Sequence, residues 1–286
     1  MVNALTFDVE EYFQAEAFAG VIGPGDWPNF ESRVVAATER LLDLLDEARV
    51  TATFFVLGWV AEREPALVHS IGKRGHEVAC HGYGHQMITR MSRAQFAEDI
   101  RRGKAAVEDA AGTAAIGYRA PTFSVVRETL WSLEVLLDAG FLYDSSIFPI
   151  YHDRYGIPDA PRFPHRRRIR EGVELAEFPL STVARGRWRF PVAGGGYFRL
   201  FPYAVTRRAV RHLNEKEEQP AIMYFHPWEL DLGQPRMPGG WWTCFRHSVN
   251  TASTEAKLRR LLGDFRFGPA RDILAASGVL AEGGLA

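Results

Sequence analysis

The stretch "LTFDVEEYF" (Leu5–Phe13) decides how the rest of the chain reads. It opens with the period-two alternation of a strand, so Leu5, Phe7 and Val9 leave on one face while Thr6, Asp8 and Glu10 leave on the other. Carboxylates are expensive to bury. Two of them on one face, at the end of an apolar strand, point to working groups at the mouth of a barrel, where parallel α/β barrels carry their chemistry. A single acid there would more often cap the following loop; Glu11 is expected to face away.

Outward from this strand, helical and strand patterns alternate. "SRVVAATERLLDLLDEA" has apolar residues at helical spacing, "TATFFVLGWV" and "HEVACHG" read as strands, and "EPALVHSIGKRG" reads as a helix. Ser92 and Gln95 form a capping box ahead of "RAQFAEDIRRGKAAVEDAAG", and Gly140 is a helix stop after "RETLWSLEVLLDA". "YAVTRRAVRHLNEKE" then leads into the apolar strand "AIMYFH". Such an order predicts a parallel sheet covered by helices. No internal repeat or linker interrupts it, so one domain over residues 1–286 is expected, elaborated from about 150 onward by Pro-, Gly- and Arg-rich loops.

Composition narrows the class. Apolar residues make up 47 % and charged residues 24 %, ordinary globular values, and a net charge of −1 offers nothing to nucleic acid or an anionic membrane. The run "RRRIR" (Arg166–Arg170) reads as a solvated loop. No stretch has the pattern of a secretory leader or the length of a membrane span, and two distant cysteines, Cys80 and Cys244, make no disulfide framework; cytoplasmic placement is the expectation.

Three further constellations carry chemistry. In "CHGYGH", His81 and His85 stand four apart with two glycines between, a spacing that brings two imidazoles to one side for a metal; a lone histidine would more often be structural. With a carboxylate from a neighbouring strand, two histidines make a catalytic zinc-like set. In "YRAPTF", Arg119 ends a strand and is placed to hold a carboxylate ionised. "AIMYFHPWE" ends a strand with His226, a place for a general acid, although a single histidine there is more commonly a satisfied core residue. "YDSS" offers Asp144 near another strand end.

Taken in order, "TFDVE", "HGYGH", "RAPTF", "YDSS" and "FHPWE" resemble the polysaccharide deacetylases of the NodB-homology group, carbohydrate esterase family four. The tail "GGWWTCFRHSVNTASTEAKLRRLL" further resembles the subgroup encoded with bacterial exosortase and exopolysaccharide systems. The resemblance implies a distorted (β/α)7 barrel and metal-dependent removal of acetyl groups from N-acetylated sugars of a polysaccharide or its precursor, with zinc as the expected ion. Asp8 resembles the catalytic base, His81 and His85 the metal-binding histidines, Arg119 the residue that orients the base, and His226 the general acid. A backbone N–H in the turn around Phe123 is the expected oxyanion donor, and Asp144 is similar to an aspartate that tunes either Arg119 or His226.

The family pattern has adjacent aspartates where this chain has Asp-Val-Glu. A spaced pair can reach one site from regular strand geometry, which makes Glu10 the candidate third ligand. Trp228, Trp241 and Trp242 are candidates for a sugar-binding platform, though such residues are more often core anchors. Two alternatives remain at this point: a metal-independent hydrolase of cyclic amides or imides, allantoinase-like, and a catalytically silent carbohydrate-binding scaffold. The presence of Asp8 and His226 ranks the scaffold last.

Overall fold

The computed structural model describes residues 1–235, 237–238, 240 and 247–280. The opening strand β1 (Val2–Val9) is central, flanked by β2 (Thr53–Val56) on one side and β10 (Ile222–Phe225) on the other, both parallel to it. From β2 the parallel sheet continues through β3 (Glu77–Cys80), β4 (Gly117–Tyr118), β5 (Tyr143–Asp144) and β7 (Val173–Glu177). Helices α1 (Val34–Ala48), α2 (Gly58–Arg63), α3 (Pro65–Lys73), α4 (Arg93–Ala111) and α5 (Ser132–Asp138) link these strands. This is the strand–helix order of a distorted (β/α) barrel.

The sides of β1 part as alternation requires. Leu5, Phe7 and Val9 lie in the layer between sheet and helices with Leu41, Leu45, Phe54 and Val56. Ala4 lies in a second layer inside the barrel with Phe55, Ala79, Tyr143, Ile222 and Tyr224. Every one of these is buried, each large side chain contributing about 1.5–3 kcal/mol.

Among the described residues no strand ladder joins β7 to β10. The arc between them is spanned by single backbone bonds: Val192 N–H to Ser181 O at 3.1 Å, and Tyr224 N–H to Ala193 O at 2.7 Å. At the last step a Cβ on Gly194 would sit 2.1 Å from Tyr224 O, and its φ is 132°, so the chain can lie against β10 only with glycine there.

The "RRRIR" run is not a loop. It forms β6 (His165–Arg170), an edge strand antiparallel to β7 whose side chains alternate between partly covered and exposed. Charged residues on an edge strand discourage pairing with another chain. "TATFFVLGWV" likewise splits, leaving the strand for α2 at Gly58. The hairpin β8 (Thr182–Arg185) and β9 (Trp188–Pro191) precedes α6 (Gly195–Leu200) and α7 (Tyr203–Glu215). After β10 come α8 (Thr254–Asp264), β11 (Arg266–Gly268), which pairs with the start of β1, and α9 (Ala270–Ala276). Among the described residues no helix is long and apolar enough to cross a membrane.

Candidate metal centre and active site

The parallel strands deliver their C-terminal ends to one mouth, and the residues singled out in the sequence gather there. Glu10 follows β1, and His81 and His85 follow β3; each offers one ligand atom, and the three atoms lie within 4.8 Å of one another. His81 Nδ1 bonds Arg119 O at 2.8 Å, which leaves Nε2 for the site. His85 Nε2 stands 2.6 Å from Glu10 Oε2 without hydrogen-bond geometry, and that oxygen is buried with no hydrogen-bond partner. Two neutral-capable nitrogens and one carboxylate oxygen converging on a point is the donor set of a divalent metal of the zinc type. Burial favours an uncharged Glu10, but the surrounding His85 and His226 reverse that and hold its carboxyl far below the usual range. Burial pushes the His81 imidazole down to about 4, so it is neutral and ready to ligate.

The histidine loop is not helical. Gly82 (φ 76°) and His85 (φ 47°) turn it sharply, and a Cβ on Gly82 would lie 2.8 Å from Asp99 Oδ2. Asp99, from α4, accepts Tyr83 N–H at 2.9 Å and Gly84 N–H at 3.1 Å, so one half-buried carboxylate sets the loop that sets both histidines. Nothing in the spacing of α4 marks this residue in the sequence.

Asp8 meets Arg119. The Arg119 Nη1 donates to Asp8 Oδ1 and to Thr6 Oγ1, both at 2.8 Å, and the remaining guanidinium nitrogens donate to Ser145 O and Oγ. Arg119 is fully buried, with Phe55 beneath its plane at 4.1 Å. Glu11 faces away as its parity requires, accepting Ser32 Oγ–H and Arg33 N–H at the entry to α1.

His226 follows β10 and places Nε2 at 3.8 Å from Glu10 Oε1. Its Nδ1 is 2.8 Å from Glu229 Oε1, and Glu229 Oε2 is 2.7 Å from Arg199 Nε. Burial alone would lower the imidazole, but Glu10 and Glu229 raise it to about 9.

Two expectations change and a third is narrowed to an electrostatic link. Asp144 feels the charge of Arg119 but, among the described residues, makes no hydrogen bond to it or to His226: its oxygens accept from Ser146 Oγ–H and N–H, and it stands opposite Glu177 across β5 and β7. Burial raises both carboxyls of that pair, and the neighbouring Asp144 pushes Glu177 further up. Phe123 N–H is consumed by Ala120 O at 3.0 Å and its ring is packed against Tyr224 and Phe148, so Phe123 itself is not the oxyanion donor. Thr122, beside it with φ 55°, has an N–H that meets no acceptor among the described residues.

Trp228 is no platform either. It is 7 % exposed, stacked on His226 (4.8 Å) and His247 (4.3 Å), and its indole N–H donates to Glu10 Oε1 at 3.2 Å. An indole so committed orients the Glu10 carboxylate instead of meeting a sugar. Trp241 and Trp242 lie outside the described residues.

Beside the histidine loop opens a polar cleft of about 560 Å³ lined by Glu16, Met87, Arg90, Asp153 and Arg154. A larger one of about 720 Å³, between α4 and α5, touches no site residue.

A family model described as "Polysaccharide deacetylase" matches residues 23–141, and one described as "Domain of unknown function (DUF3473)" matches residues 145–275. The chain is similar to a peptidoglycan deacetylase of Helicobacter pylori, 33 % identical over 145 residues covering 48 % of each protein. It is also similar to a chitooligosaccharide deacetylase of Sinorhizobium fredii, 34 % identical over 100 residues, 35 % of this chain and 44 % of the relative. The chain spans less than half the length of these curated relatives. Among solved structures, that of a putative polysaccharide deacetylase from Mycobacterium smegmatis has a TM-score of 0.63 at 22 % identity, covering 96 % of this chain and 88 % of the other. A family 4 carbohydrate esterase from Streptomyces lividans has a TM-score of 0.50 at 18 % identity, covering 98 % and 91 %. At these identities the structural likeness establishes the fold.

Proposed function

The chain belongs to the polysaccharide deacetylases of the NodB-homology group, carbohydrate esterase family four, and from that premise we propose that it is a zinc-dependent hydrolase removing acetyl groups from N-acetylated sugars of a polysaccharide or its precursor. The observation that carries this reading is the convergence of Glu10, His81 and His85 between the Asp8–Arg119 ion pair and His226. The sequence of the tail supports membership of the exosortase-associated subgroup, and β10 and β11 flanking β1 support one domain over both matched regions.

Glu10, His81 and His85 would hold the ion. When bound, it polarises the acetyl carbonyl and makes water a stronger acid. Asp8, fixed through Oδ1 by Arg119, takes a proton from the attacking water on its other oxygen. The Thr122 N–H is the donor assigned to the developing oxyanion. His226 gives its Nε2 proton to the sugar nitrogen as the C–N bond breaks, leaving acetate and a free amine.

Acetate release from N-acetylglucosamine oligomers, with zinc-reconstituted and chelator-treated protein, tests the reading. Acetate with zinc and none after chelation is expected. Hydrolysis of a cyclic imide by metal-free protein, with no acetate from the loaded form, would replace it with the cyclic-amide hydrolase.

A further inference from the structure

Glu229 ends the "FHPWE" run, and the chemistry above makes no use of it. Its carboxylate is fully buried. Oε1 accepts the His226 backbone N–H at 3.1 Å, which caps the turn Pro227–Leu230, and the same oxygen lies 2.8 Å from the ring Nδ1. A glutamine would serve that cap equally well. The charge has a different partner: Arg199, itself 3 % exposed, brings Nε to 2.7 Å of Oε2 and donates through Nη1 to His247 O and Val249 O. A buried carboxylate is costly unless paired, and this one is paired on both sides, with a permanent cation behind it and the imidazole in front.

Two consequences follow from that order. With Nδ1 donating to Glu229, the ring proton available for transfer sits on Nε2, the nitrogen on the Glu10 side. A carboxylate held at Nδ1 also stabilises the imidazolium, as a buried aspartate does in serine hydrolases.

Arg199, His226, Glu229 and His247 all fall within residues 145–275, the region matched by a family model of unknown function, whereas His81, His85 and Arg119 fall within residues 23–141. We propose that Glu229, clamped by Arg199, is the positioning residue that sets the tautomer of His226, and that supplying this proton-donating side of the site is what the second region does. Asp144, the position that resembles the family's tuning aspartate, lies outside this chain of contacts. The proposal rests on the deacetylase reading, and its test separates the two.

The test is Glu229→Gln in the full zinc-reconstituted chain, with two substrates. An N-acetylglucosamine oligomer has an amine leaving group that needs a proton; para-nitrophenyl acetate expels a phenolate that does not. The variant is expected to lose about 100-fold in kcat on the oligomer with KM unchanged, to keep its ester turnover within about twofold, and to keep its zinc. Equal losses on both substrates, or no loss on the oligomer, overturn the proposal. If the wild-type chain releases no acetate from any oligomer, the deacetylase reading fails. The positioning claim is then decided by the His226 imidazole in proton and nitrogen NMR of the wild-type protein. A strongly downfield Nδ1–H, displaced in Glu229→Gln, is expected; an Nδ1 without a proton in the wild type overturns it.

Discussion

The Trp228 indole donates to Glu10 Oε1 at 3.2 Å, so the carboxylate that faces two histidines through one oxygen is fixed in rotation through the other. Partners of this kind behind a metal ligand change affinity without touching the metal, typically by 10–100-fold. Trp228→Phe keeps the stack with His226 and His247 and removes the donor. We expect zinc affinity to fall about 10-fold in competition with a chromophoric chelator; an unchanged affinity would remove Trp228 from the metal site.

Arg119 leaves Asp8 charged and buried when it is removed. Breaking a buried pair from one side costs about 3–5 kcal/mol, so Arg119→Ala is expected to lose that much in denaturant unfolding and to lose turnover. The double change Arg119→Ala with Asp8→Asn should recover part of the stability and none of the activity. If the single variant unfolds like the wild type, the pair is not the buried contact described here.

Asp99 supplies acceptors for Tyr83 N–H and Gly84 N–H in the histidine loop. Asp99→Ala strands two partly buried donors at about 1–3 kcal/mol and frees the loop that aims His81 and His85. The expected result is lower stability together with weaker zinc binding, measured by unfolding with and without zinc. Lower stability with full zinc affinity would show the loop to be set by other contacts.

Two buried histidines outside the metal set give the pH dependence of folding. Burial pushes His76 and His247 down to about 4, from the 6.5 of an exposed imidazole. A lowered imidazole pKa means the unfolded chain binds the extra proton first, so this stability is fully present above pH 6.5 and is lost as pH falls towards 4. The part of that window above pH 5 lies clear of most carboxylates. Thermal unfolding should therefore occur at progressively lower temperature from pH 6.5 to 5; a flat profile there would mean that both rings are protonated in the fold.

What was legible in the sequence is what local geometry dictates. Alternation carried just past the end of β1 put Asp8 and Glu10 on one side and Glu11 on the other, and the four-residue spacing of "CHGYGH" brought His81 and His85 together. The capping box at Ser92 appears as read, with Ser92 Oγ accepting Gln95 N–H and Gln95 Oε1 accepting Ser92 N–H. What escaped depends on contacts between distant segments. Glu229 lies three residues from His226, but its role needs Arg199 from α6, 30 positions earlier. Trp228 looks the same in sequence whether it meets a sugar or an imidazole. Asp99 is one polar residue among many on α4, and "RRRIR" has the charge of a solvated loop because an edge strand needs the same charge.

The central claim is that the opening strand carries a base and a metal ligand two residues apart, and metal content tests it most directly. Mass spectrometry of the purified, zinc-reconstituted chain beside Glu10→Ala and Asp8→Asn should find about one ion per chain in the wild type and in Asp8→Asn, and none held tightly in Glu10→Ala. Metal retained in Glu10→Ala and lost in Asp8→Asn would reverse the two roles, and no metal in any of the three would contradict the account.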